Sequence, residues 1–298
     1  MRSTEMSIDD EVQVRRLIAD QFPEWAALPV TEGPTHGTDN RMYRLGDDLV
    51  VRLPRLQSAA ETVRKEQYWL PRLVPALSLD IPMPLGAGQP DDGFPYPWSV
   101  YRWLDGENLV DRPAADLKDT AVRLGRFVAE LQRIGITGGP RSVRATPVAP
   151  AHDSDVRYRI RRLSEEGGLD ESTATAIWEA ALEAPEWTDL PVWIHGDLSP
   201  SNLLAKDGRL TAVIDFGLLG LGDPACDLLP AWTLLTAETR DLFRAEVGTD
   251  DATWIRGRGW ALSAGLGAVD VYRHSNPTIA IPGQHAIAEA LADYQTSG

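Results

Sequence analysis

The chain has 298 residues, 43% of them hydrophobic, enough to bury a substantial core in one large domain or in two lobes. Its net charge of −15 argues against a nucleic-acid partner, because neutralising phosphates needs a basic surface, whereas an acidic surface steers cationic molecules. A single cysteine, Cys226, excludes an internal disulfide framework, and His36, His152, His195, His274 and His285 lie scattered without zinc-ligand spacing. The N-terminus has no apolar core of signal-peptide length and no run is long enough to span a bilayer, so a cytoplasmic protein with no membrane partner is expected. Nothing in the composition sets an oligomeric state.

In chain order, Ser7-x-x-Asp10 reads as a capping box opening a helix with Val14, Leu17, Ile18 and Phe22 on one face. Val30 to Glu32 reads as a strand, residues 33–40 (GPTHGTDN) as a turn-rich loop, and Arg41 to Leu45 as a second strand. The turn Gly46-Asp47-Asp48 leads into Leu49–Pro54, and Ala59–Leu73 has helical spacing with Ala60, Val63, Gln67 and Leu70 along one side. After a stretch punctuated by Pro82, Pro84 and Pro90, residues 97–104 (PWSVYRWL) read as another strand. Near residue 105 strand patterns give way to helical ones, which sets the expected division at 1–104 and 105–298. Leu117, Ala121, Leu124, Val128 and Leu131 form an apolar stripe, and residues 135–150 are a Gly/Pro/Thr-rich connection. Helices follow at Ser154–Glu166 and Asp170–Glu183, and later at Cys226–Leu235, Arg240–Val247, Thr253–Tyr272 and Ile281–Tyr294. The expected class is α+β: a small antiparallel-sheet lobe with one key helix, then a large, mainly helical lobe.

The chemistry concentrates in residues 193–227, WIHGDLSPSNLLAKDGRLTAVIDFGLLGLGDPACD. A short apolar strand, Val192-Trp193-Ile194, delivers His195, Gly196 and Asp197 into a loop; Asn202 comes five residues after Asp197 and Asp215 thirteen after that. Two strand-like runs joined at Lys206-Asp207-Gly208 form a hairpin that returns Asp215 to the side of Asn202 and Asp197. Two carboxylates and an amide oxygen converging on a small space suit Mg²⁺, which keeps several waters and shares its shell with substrate phosphates.

The order H-G-D-x-x-x-x-N, I-D-F-G and G-D-P-A-x-D-L resembles the catalytic core of the aminoglycoside phosphotransferase family, which has the protein-kinase-like fold. The resemblance is strong over 193–227 and in outline elsewhere. It implies Asp197 as the catalytic base or orienter of the acceptor hydroxyl, Asn202 and Asp215 as Mg²⁺ ligands, and His195 and Asp227 as structural supports of the catalytic loop. It implies ATP or GTP as cofactor, with Gly37 and Thr38 in the loop over the phosphates and the strand carrying Ser99, Tyr101 and Trp103 running into a hinge that receives the purine. The third strand of this fold carries a lysine, and Arg52 stands there instead; a guanidinium keeps the charge and adds bidentate geometry. Glu66 matches the glutamate that pairs with that cation.

Only eleven residues separate Asp215 from Asp227, too few for a peptide-binding activation segment, while about ninety separate the hinge from His195. That favours a small-molecule acceptor, foremost an aminoglycoside-like antibiotic, with Asp153, Asp155, Glu165, Glu166 and Asp270 as candidate contacts for a polycation. A macrolide or a small metabolite such as choline, homoserine or a sugar is the alternative acceptor. A nucleotide-binding pseudokinase is disfavoured, because Asp197, Asn202 and Asp215 are all present.

Overall fold

The computed structural model describes residues 8–33, 39–144 and 152–297. Packing divides the chain into two compact units, Met1–Pro75 with Asp80–Asp105, and Ala76–Leu79 with Gly106–Gly298. The expected cap at Ser7 and the loop residues Gly37 and Thr38 lie outside the described residues.

The first unit is built on a five-stranded antiparallel sheet of β1 (Val30–Glu32), β2 (Asn40–Leu45), β3 (Leu49–Pro54), β4 (Pro84–Gly88) and β5 (Trp98–Arg102), in the order β1-β2-β3-β5-β4. Strand β3 is an almost unbroken apolar run because both its faces are covered. Leu49, Val51 and Leu53 share a core with Trp98 and Val100 of β5 and with Val14, Leu17 and Ile18 of helix α1 (Ile8–Gln21). Side chains alternate across a strand, so Arg52, Ser99 and Tyr101 turn to the opposite face. There helix α2 (Gln57–Leu73) buries Ala60, Val63, Glu66 and Leu70. β4 falls in the stretch that the sequence marks only by its prolines.

The second unit opens with β6 (Glu107–Asn108) and α3 (Leu117–Arg133). The Asp116 side chain caps α3 by accepting from the backbone N–H groups of Lys118 and Asp119, and the predicted stripe is buried at Ala121, Leu124, Val128 and Leu131. Helices α4 (Asp153–Glu165) and α5 (Glu171–Glu183) precede β7 (Val192–Ile194), β8 (Leu203–Lys206), β9 (Arg209–Val213) and β10 (Gly220–Gly222). β6, β8 and β9 form one antiparallel sheet, and β7 pairs with β10. Helices α6 (Pro230–Thr233), α7 (Ala237–Val247), α8 (Asp251–Tyr272) and α9 (Pro277–Ser297) complete the chain. The helix predicted over Cys226–Leu235 is two pieces, a 3₁₀ turn at Pro224–Leu228 and α6, because Pro230 has no N–H to continue the ladder.

Candidate active site

Turn chemistry places the second unit's polar residues. Asp207 and Gly208 both have positive φ, at 53° and 76°, the geometry of a type I′ turn, and β8 and β9 pair from Lys206↔Arg209 to Leu203↔Val213. One residue beyond that register, the Ile214 N–H donates to the Asn202 carbonyl at 2.9 Å, so Asn202 and Asp215 leave the hairpin side by side. The Asn202 Nδ2 donates both to the backbone carbonyl of Asp197, at 2.9 Å, and to its carboxylate Oδ2, at 3.0 Å. That bond fixes the Asp197 carboxylate and leaves the amide oxygen of Asn202 out of the contact. Asp215 is exposed and sits in the left-handed region at φ 62°, conformational strain of a kind that concentrates at functional sites.

The loop before it is held by its main chain. Asp227, fully buried, accepts from the backbone N–H of His195 at 2.6 Å and of Gly196 at 2.8 Å. Burial raises the Asp227 pKa, and the His195 side chain and these two donors oppose that shift. The Asp197 N–H donates to His195 Nδ1 at 3.2 Å, which puts the imidazole proton on Nε2, where it meets the Ile214 carbonyl at 3.0 Å. The ring also packs edge-on against Phe216, 4.5 Å between centroids. Gly196 has φ 85°, and a Cβ there would lie 3.0 Å from the Leu218 carbonyl oxygen, so the position accepts only glycine without strain.

Two further groups brace this region. Asp223 caps the Pro224–Leu228 turn through the Ala225 N–H at 2.9 Å and receives the Arg256 guanidinium of α8 bidentately, at 2.9 and 3.1 Å. Arg256 also donates to the Pro185 carbonyl and to Thr253 Oγ1. Ser142 Oγ donates to the Leu218 carbonyl at 2.7 Å, and residues 140–142 run alongside Leu221 of β10.

In the first unit, Arg52 Nη1 donates to both carboxylate oxygens of Glu66, at 2.9 and 2.7 Å. The hydroxyl of Tyr101 donates to Glu66 Oε2 at 2.5 Å. Burial, with Glu66 alongside, raises the Tyr101 pKa well above its ordinary value, so the phenol stays a donor. Gln67 Nε2 bonds Ser99 Oγ at 2.9 Å and the Trp98 carbonyl at 3.0 Å. The side chains of Ser99 and Tyr101 are thus committed to α2. Trp103 lies apart from this cluster, its ring 3.9 Å under the Arg44 guanidinium and its Nε1 bonded to Asp105 at 3.0 Å.

A family model described as "Phosphotransferase enzyme family" matches residues 30–262. The chain belongs to that family. The phosphotransferase is 29% identical over 213 residues to viomycin phosphotransferase of Streptomyces vinaceus, an alignment covering 67% of this chain and 71% of the relative. Among solved structures it is similar to the GDP complex of aminoglycoside 2′-phosphotransferase-IIIa, at 23% identity and TM-score 0.70, covering 95% of this chain and 99% of that one. It is also similar to the apoenzyme of macrolide 2′-phosphotransferase from Brachybacterium faecium, at 21% identity and TM-score 0.62, covering 94% and 98% of the two chains. These likenesses show the fold, and the phosphotransferase has the α+β, protein-kinase-like architecture expected of it.

Most of the acidic residues expected to meet an acceptor are paired with arginines in the phosphotransferase. Asp153 accepts from Arg157 Nε and from Trp178 Nε1, both at 2.7 Å, which holds its pKa below the ordinary carboxylate value. Asp155 pairs with Arg159, Asp270 with Arg162 at 2.7 Å, and Glu166 with Arg273. Glu165 is exposed at the end of α4. Four of the five are therefore neutralised by arginines of the same unit. A cleft of about 460 Å³ lined by Arg141, Glu186, Trp187 and Asp189 opens at the Val192–Gly222 end of the β7–β10 pair, the end away from His195. Ser142, Asp223 and Arg256 were not singled out from sequence; only Asp223, within G-D-P-A-x-D-L, carried a local signal. Tyr101 was expected near the base, and its hydroxyl instead bonds Glu66.

Proposed function

We propose that this phosphotransferase moves the γ-phosphoryl group of ATP or GTP to a hydroxyl of a small molecule, foremost an aminoglycoside-like antibiotic, in the cytoplasm. The bond between Asn202 Nδ2 and the Asp197 carboxylate carries the reading, because one amide then orients the proton acceptor and offers its oxygen to a metal. Among the described residues no three His, Cys, Asp or Glu side chains cluster as a metal site. The residues that would hold a metal here are Asn202 and Asp215. Both are hard oxygen donors and fit Mg²⁺. When bound, such an ion would neutralise charge on the nucleotide phosphates.

The chain's own groups do the rest. Asp197 accepts the hydroxyl proton of the acceptor as its oxygen bonds to the γ-phosphorus and the bond to the nucleoside diphosphate breaks. Arg52, oriented by Glu66, binds the α- and β-phosphates, and backbone groups of the Ser99–Trp103 strand and the residues after it receive the base. The GDP-bound relative makes GTP a nucleotide to test beside ATP. The viomycin phosphotransferase relative supports an antibiotic acceptor, and Asp153, Asp155, Glu165, Glu166 and Asp270 stand as its candidate contacts. The macrolide phosphotransferase likeness keeps a macrolide as the second reading, with a small metabolite behind it.

The test is a screen of purified protein with Mg²⁺, ATP or GTP, and a panel of aminoglycosides, viomycin, macrolides, choline, homoserine and sugars, run beside Asp197→Asn. One acceptor should be phosphorylated by the wild type, and Asp197→Asn should abolish turnover while leaving nucleotide affinity nearly unchanged. Near-normal kcat in Asp197→Asn would remove Asp197 from the chemistry.

A further inference from the structure

We propose that Asn40 is a positioning residue for Arg52, holding its guanidinium in the orientation that meets the nucleotide phosphates. The inference rests on the reading of Arg52 as a phosphate ligand. Strand register puts the two residues on one face of the sheet: Met42 lies opposite Arg52 and Asn40 opposite Pro54, so Asn40 is the diagonal neighbour of Arg52. With the Asn40 amide turned so that its oxygen faces donors, Oδ1 accepts from Arg52 Nε at 3.1 Å and from Nη2 at 3.0 Å.

The guanidinium is thereby gripped at two places. Glu66 accepts from one nitrogen of the guanidinium, Nη1, through both of its carboxylate oxygens. The Asn40 oxygen sits in the fork between Nε and Nη2 and fixes the opposite edge of the guanidinium. An amide does this without adding charge. Arg52 and Glu66 cancel, and a second carboxylate would leave the cluster net negative where anionic phosphates must come. The chemistry at position 40 thus calls for an acceptor that is neutral.

The full-length chain is tested by calorimetric titration with MgATP and by thermal melting without nucleotide. Asn40→Ala should weaken MgATP binding about tenfold, the scale of losing a preorganised contact. Asn40→Asp, isosteric and a stronger acceptor, should melt at or above the wild-type temperature yet bind MgATP more weakly than Asn40→Ala, with a deficit that shrinks as salt is added. Arg52→Ala sets the ceiling, and adding Asn40→Ala to it should change the affinity by less than about twofold. A purely structural Asn40 predicts the reverse for the aspartate, with melting temperature and affinity restored together. That result, unchanged affinity in Asn40→Ala, or an equal loss with and without Arg52 would each overturn the inference alone. Unchanged affinity in Arg52→Ala would overturn the phosphate reading of Arg52 and the role of Asn40 with it.

Discussion

Replacing Arg256 by methionine removes one member of an ion pair in which both side chains are only 2% exposed. Asp223 keeps its bond from the Ala225 N–H but loses two charge-assisted bonds, and the Pro185 carbonyl and Thr253 hydroxyl each lose a donor. Leaving a buried carboxylate unpaired costs about 3–5 kcal/mol, far more than the pair contributes relative to well-packed apolar side chains. For a unit of this size that is a fall in melting temperature on the order of 10 °C. Asp223→Asn combined with Arg256→Met removes the charge that was left alone and should recover at least about 1 kcal/mol relative to Arg256→Met. Urea titration followed by tryptophan fluorescence, with melting as a second probe, measures both. A loss below about 1 kcal/mol in Arg256→Met, or a double variant as unstable as the sum of the singles, would refute this account of the brace.

Asp215→Ala should abolish Mg²⁺-dependent nucleotide binding together with activity, since alanine offers no oxygen; calorimetry with MgATP and with metal-free ATP separates the two, and surviving metal dependence would move the ion elsewhere. Asp91 is held at a pKa of about 2 by the Arg16 guanidinium, below its ordinary 3.8, with the Gly93 and Phe94 N–H groups helping. A depressed carboxylate pKa stabilises the fold above the unfolded value and loses that contribution as pH falls through the folded one. The Arg16–Asp91 pair should thus be worth about 1 kcal/mol at pH 5, after allowing for a guanidinium that is 40% exposed. Arg16→Ala should be less stable than wild type by that amount at pH 5, with the difference vanishing between pH 3.8 and about 2 in acid titrations.

Residues 193–227 were readable because their signals are local: fixed gaps between polar residues and a turn whose chemistry demands Asp207-Gly208. The α3 stripe was readable for the same reason, as periodicity within one helix. Strand β4 was hidden because Gly86 and Gly88 are poor strand formers. Yet a Cβ on Gly88 would lie 2.0 Å from the Trp98 ring, so the glycine is there to let the indole cross the strand. The Arg52–Glu66 bond was expected from the resemblance and is present. Its other partners, Asn40 and Tyr101, depend on strand register that no local pattern reveals. Asp223 and Arg256 stand 33 residues apart, on a turn and a helix, and only the folded chain brings them together.

The grip of Asp227 on the main chain of His195 and Gly196 bears on how such a loop can drift over generations. Its shape depends on peptide N–H groups, on glycine at 196, and on an aspartate 30 or more positions downstream. The side chains of Ser199 and Ser201 bond each other, at 2.7 Å, and take no part in that frame. Mutation can therefore rewrite the loop's outward face while its skeleton stays constant.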